Sequence, residues 1–173
     1  MRFAPLVLCA LLPLTPLQAE EPVAPTPPAR PNCDAAEHRA FDFWIGEWEV
    51  SSNGKPAGRN SIRADHKGCT LREEWRGAGG SHGSSLNAWD RRSKQWKQFW
   101  IDDSGMLLEL VGGIEGGNMV MSTDIEGAQG TTTHRISWTP NADGSVRQHW
   151  QSRADGSEEW TTVFDGLYVR TGG

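Results

Sequence analysis

The chain has 173 residues, with 17 Lys and Arg against 22 Asp and Glu, a net charge of −5. That mild acidity, with basic residues scattered apart from Arg91, Arg92 and Lys94, is the wrong balance for a nucleic-acid-binding surface. Beyond the N-terminal run, no segment approaches the roughly 20 apolar residues of a membrane-spanning helix, so no membrane insertion is expected of the mature form.

Met1 and Arg2 precede an apolar run from Phe3 to Leu17, and Gln18-Ala19 then gives way to Glu20-Glu21. This is the pattern of a secretory signal peptide over 1–19, which places the protein in the periplasm or outside the cell. Cys9 follows Leu8, where a lipoprotein signal would place small residues, so lipid anchoring is not expected. Cleavage leaves 173 − 19 = 154 residues, a length that one domain accounts for. Residues 20–32 hold five prolines and little that can form a core, and read as an extended tether. The domain proper is expected over 33–173.

From Asp34 to Phe43 an Asp cap, two alanines and the run Glu37-His38-Arg39-Ala40 predict a short helix. Short runs of β-branched and aromatic residues follow, separated by turn residues. They predict strands at 44–51, 58–65, 70–76, 85–90, 95–101, 106–111, 119–123, 132–139, 146–153 and 159–170. Asn53-Gly54, His66-Lys67-Gly68, Asp103-Ser104-Gly105, Gly116-Gly117-Asn118, Asn141 to Gly144 and Asp155-Gly156 supply residues that tolerate positive φ. Ten strands on short loops leave no room for crossover helices, so the sheet is antiparallel. The predicted fold is an all-β, up-and-down meander closed into a barrel of about ten strands, since closure removes exposed edges. A two-sheet sandwich is the competing architecture. Cys33 and Cys69 remain after cleavage, and in an exported chain an even pair predicts one disulfide; two buried free thiols are the alternative.

Gly46-Glu47-Trp48 follows the predicted helix in FDFWIGEWEV, and the chain ends on FDGLYVR. This resembles the calycin barrels, in which a G-x-W opens the first strand and its tryptophan closes one end beneath an arginine of the last strand. The resemblance gives Trp48 and Arg170 that structural role. EEWRGAGG, SLNAWD, QWKQFWIDDSG, ISWTP and VRQHW extend it to the lipocalin-like DUF1579 family of exported bacterial proteins, from about Cys33 to Arg170. It implies a calycin-like barrel of about ten strands, as in fatty-acid-binding proteins and nitrobindins, and no particular activity.

Gly79 to Gly83 matches the G-x-S-x-G nucleophile elbow. That elbow needs a parallel strand before it and a helix after it, neither of which is expected here. Glu73-Glu74 and Asp102-Asp103 are neighbours on strands and point to opposite faces, so neither pair is an acid–base couple. The five histidines, His38, His66, His82, His134 and His149, show no metal-ligand spacing, and no cofactor is expected. A haem held through His149, as in nitrobindin-like barrels, is an alternative.

The nine tryptophans are the most unusual feature of the composition. In the fifth strand Trp96, Gln98 and Trp100 share one face, while Lys97, Phe99 and Ile101 take the other. Asn87 and Trp89 repeat that aromatic–amide mixture, and Glu73 shares a face with Leu71 and Trp75. The expected function is enclosure of a small, partly apolar ligand by Glu73, Trp75, Asn87, Trp89, Trp96, Gln98, Trp100 and His149. Alternatives are an enzyme using His149 or Glu73 in the same cavity, and a structural envelope protein with a filled barrel. N-terminal sequencing of the exported protein is expected to begin near Glu20; a periplasmic form that retains Met1 would refute the signal peptide.

Overall fold

A computed structural model describes residues 32–128 and 130–171. The expected signal peptide at 1–19 and the expected tether up to residue 31 lie outside the described residues. A single helical turn, α1 (Ala36–Arg39), and a 3-10 turn (Asp42–Trp44) lead into ten strands. These are β1 (Gly46–Ser52), β2 (Lys55–Asp65), β3 (Thr70–Gly77), β4 (His82–Asp90) and β5 (Gln95–Asp102), followed by β6 (Leu107–Glu115), β7 (Asn118–Gly127), β8 (Gly130–Pro140), β9 (Val146–Ala154) and β10 (Thr161–Arg170). Each strand pairs antiparallel with its sequence neighbour, and β1 also pairs with β10, so the meander is a closed barrel. Hairpin turns carry the strain their residues suit: Asn53 (φ 50°) and Gly54 (φ 71°) both adopt positive φ between β1 and β2.

The expected helix over 34–43 is shorter than its sequence suggests. Its N-cap is Ala35, whose methyl side chain cannot cap, and Asp34, one residue earlier, accepts from Asn32. A four-residue turn has no stability of its own; packing holds it. Phe41 stacks on Trp44 at 4.9 Å and meets Trp138 at 5.2 Å and Trp96 at 5.6 Å edge-on. Together these rings stopper one end of the barrel, with Phe41, Trp44 and Trp138 completely buried. Each large ring removes about 150–250 Å² from water, on the order of 4–6 kcal/mol of transfer free energy.

Polar contacts fasten the stopper to the wall. Trp96 Nε1 donates to the Glu37 carbonyl at 3.0 Å, and Arg39 donates to the Gly68 carbonyl at 2.7 Å. At the same end the Arg170 guanidinium lies 4.3 Å over the Trp48 ring and donates to the Ile45 carbonyl. Trp48 Nε1 donates to the Trp44 carbonyl at 2.9 Å. Gly46 makes this stack possible, because a Cβ there would stand 2.3 Å from the guanidinium.

Cys33 and Cys69 form a disulfide with Cα atoms 5.1 Å apart, joining the segment before α1 to the residue preceding β3. A crosslink spanning 36 residues removes enough unfolded-chain entropy to stabilise by on the order of 3–4 kcal/mol. The Cys33→Ser, Cys69→Ser double variant is therefore expected to lose about 3 kcal/mol in denaturant unfolding with its barrel spectrum retained. An unchanged midpoint would show that the aromatic stopper alone holds this end.

Candidate functional site

Strand alternation fills the barrel unevenly. Toward the stopper, the inward residues are Trp48, Ile62, Leu71, Trp96, Met119 and Trp138, all buried. Toward the other end they become polar on β2 to β5: Asn60, Glu73, Ser85, Asn87 and Gln98 are each less than 5% exposed. Register explains how they meet, since Glu73 lies opposite Ser85 across the β3–β4 pair and Asn87 opposite Gln98 across β4–β5.

These side chains form one directed chain of hydrogen bonds. Gln98 Nε2 donates to Asn87 Oδ1 at 2.8 Å, and Asn87 Nδ2 donates to Ser85 Oγ at 2.8 Å. Ser85 Oγ donates to Glu73 Oε2 at 2.5 Å, while Asn60 Nδ2 approaches the other carboxylate oxygen at 2.8 Å. All the donors point toward Glu73, while the cations of its own strand, Arg72 and Arg76, are exposed on the other face. Burial pushes its carboxyl up to about 7 against the two hydrogen bonds that favour ionisation. Burial, followed by the Glu73 carboxyl, pushes the Tyr168 phenol well up as well. Tyr168 donates its hydroxyl to Gln148 Oε1.

Above this network lies a cavity of about 270 Å³, roughly twice the size of an engineered 150 Å³ cavity that holds benzene. Glu73, Gln98, Gln148 and Tyr168 supply its polar lining, and Trp75, Trp100, Trp150, Phe164 and Ile136 its apolar walls. Ser81, His82, Asp102 and Val163 line it from the end opposite the stopper, where the β3–β4, β5–β6 and β9–β10 hairpins turn. Three wall rings pack against glycines. A Cβ at Gly83 would stand 2.4 Å from the Trp100 ring, at Gly166 2.4 Å from Phe164, and at Gly58 2.7 Å from Trp75. Trp150 is held by its Nε1 donating to His134 Nδ1 at 3.0 Å.

The structure brings Glu73, Trp75, Gln98 and Trp100 together at this cavity. Asn87, completely buried, stands one step behind the wall and orients Gln98. Trp96 shares the inward face of β5 but belongs to the stopper, four residues from Trp100 along the strand. Trp89 flanks a hollow beside Asn32, Ala35 and His38 at the stopper end. His149 lies on the outer face, bonded to Thr162 Oγ1 at 3.0 Å and opposite Asp165 across β9–β10, because Gln148 and Trp150 take the inward positions. A haem or a proton relay through His149 would therefore lie outside the cavity.

Gln148, Trp150, Phe164 and Tyr168 are lining residues that sequence reasoning missed. Alternation on β9 and β10 carries that signal: fixing Trp150 inward places Gln148 inward and His149 outward. Val163 reaches the cavity at a register shift between Thr162 and Phe164, a bulge that alternation does not anticipate. Ser81 and His82 come from the G-x-S-x-G stretch, which forms the β3–β4 hairpin and not an elbow. Among the described residues no group of three or more His, Cys, Asp or Glu is placed to hold a metal ion.

Fold and site together define a ten-stranded antiparallel barrel, stoppered at one end, with a polar-floored aromatic cavity toward the other. No protein-family model matches the chain, and no curated protein is similar to it.

Glu73 makes stability depend on pH in a stated direction. The native carboxyl keeps its proton up to about 7, whereas the unfolded one ionises near 4.5. Its contribution is therefore fully present below pH 4.5 and is lost as pH rises through 7, by about 3 kcal/mol. Glu73→Gln is expected to match the parent at pH 4 and to exceed it by about 3 kcal/mol at pH 8; a pH-independent difference in denaturant midpoints would contradict the assignment. The buried Asn60 Oδ1, which has no partner, can accept from the new amide if Asn60 turns over.

Proposed function

We propose that the protein is an exported binding barrel, periplasmic or secreted, that encloses one small, partly apolar molecule in the 270 Å³ cavity. The observation that carries this reading is the combination of aromatic walls with convergent polar groups in a half-enclosed space, the make-up of a small-ligand site. The G-x-W motif at Gly46–Trp48 and the Arg170–Trp48 stack at 4.3 Å support placing the chain among calycin-like barrels, and its other motifs with the DUF1579 type. The disulfide supports an oxidising compartment. The outer wall bears the ion pairs Arg59–Glu49, Arg63–Glu74 and Arg147–Asp165, groups that a lipid-facing barrel wall disfavours.

A second reading, an enzyme acting in the same space, has one observation in its favour. A carboxyl lifted to about 7 is poised to exchange protons at neutral pH, as a general acid or base must. Glu73 alone serves that reading, since His149 faces outward.

Native mass spectrometry of protein purified from its own periplasm tests the binding reading, with Gly83→Ala as the control. The added Cβ, 2.4 Å from the Trp100 ring, forces that ring toward the cavity. A small co-purifying mass is expected with the parent and not with the variant. A parent that carries no bound mass and binds no small molecule would leave the filled, structural barrel as the better reading.

A further inference from the structure

The cavity lining has a charge bias. Its acidic groups are Glu73 on the floor, which ionises only near 7, and Asp102 at the rim, and none of the described lining residues is Lys or Arg. Asp102 gives its Oδ1 to the β5–β6 turn, accepting from Ser104 and Met106, and the Ser104 hydroxyl holds its carboxyl below the usual range. It therefore stays ionised at the opening. His82 is also at the rim, exposed to solvent.

The neutral groups lean the same way. Gln98 is 4% exposed and commits its Nε2 to Asn87 and Ser85. What it offers an occupant is its carbonyl oxygen, on the cavity lining and with no donor among the described residues. Indole faces are the negative side of the ring quadrupole, and Trp75, Trp100 and Trp150 stand around the space. A bound carboxylate would meet Asp102 and, above about pH 7, an ionised Glu73, with no Lys or Arg of the described lining to compensate.

We propose that the cavity takes a small protonated amine, a primary or secondary ammonium on a compact apolar body, with its N–H groups directed at Gln98 Oε1 and Glu73. The body lies against the tryptophan walls, and Asp102 favours entry of the cation. This rests on the binding reading and narrows it to one charge class. N–H donors are needed, because the acceptors converging here would go unmet by a quaternary ammonium.

Binding is coupled to the state of Glu73. Asn60 on β2, Ser85 on β4 and Tyr168 on β10 surround the carboxyl. Tyr168 stays protonated, and Asp102 stays ionised. An ammonium beside Glu73 favours its ionised form, so amine binding near neutral pH releases a proton. Affinity is expected to rise from pH 6 to pH 8.

The test uses three probes of nearly equal shape: 2-phenylethylamine, 2-phenylethanol and 3-phenylpropionate. Each is titrated calorimetrically into the mature, disulfide-bonded protein at pH 8. The amine is expected to bind at least about tenfold more tightly than the alcohol, with the propionate weakest. Glu73→Gln should narrow the amine–alcohol gap by about tenfold and flatten the pH dependence. If that variant does not fold, the ranking on the parent protein decides. An alcohol or propionate that binds as well as the amine overturns the charge assignment while the binding reading stands. Amine binding undiminished in Gly83→Ala overturns the location. Failure of all three probes removes the amine proposal, and a co-purifying mass then shows whether the binding reading survives it.

Discussion

The aromatic stopper is the constraint on which the interior depends. A ten-stranded barrel encloses more volume than its own wall residues fill, and Phe41 and Trp44 enter one end from outside the sheet. Because they meet Trp96 and Trp138 there, the empty space is displaced to the opposite end. The polar chain from Gln98 to Glu73 lies at the boundary between the two halves. Without the stopper the network would open on both sides to water, and burial would no longer lift the Glu73 carboxyl to about 7.

The same division separates stability from chemistry. The stopper end holds the disulfide, the Arg170–Trp48 stack and the completely buried rings. The other end holds residues that fit poorly into a dry core: a carboxyl without a cation, an amide with a free carbonyl, and rings packed against glycines. Buried polar atoms without partners, each lowering stability by roughly 1–3 kcal/mol, occur at both ends: Asn60 Oδ1 beside Glu73, and Trp44 Nε1 and Trp138 Nε1 within the stopper, where the buried rings offset them. The outer wall is ordinary by comparison, with Leu86 opposite Phe99 and Ile101 opposite Leu107 interspersed among exposed charges.

Much of this was legible in the chain. Ten strands punctuated by Asn-Gly, Asp-Gly and Gly-Gly turns announce a meander, and the parity of Trp96, Gln98 and Trp100 identifies the inner face of β5. Alternation gives the face of a residue, however, and not its depth. Trp96 and Trp100 share a face yet stand about 13 Å apart at 3.3 Å per residue, one in the stopper and one at the cavity. What separates them is the packing of Phe41, a contact some 55 residues away in sequence for Trp96 and invisible to local pattern. His149 stands outside the cavity for a simpler reason: the parity of β9 points Gln148 and Trp150 inward. The bulge at Val163 breaks parity on β10, where Phe164 and Tyr168 escaped notice.

A vessel sealed at one end has a kinetic signature. With the stopper pinned by the disulfide, Arg39 and Trp96, a molecule held as proposed would enter and leave by the passage between the β3–β4, β5–β6 and β9–β10 hairpins. Breathing of those hairpins then sets arrival and departure together, so changes that loosen them speed both steps with little effect on the equilibrium between them. Residence time and affinity of such a ligand would be separately adjustable, the first at the hairpin tips and the second on the cavity floor.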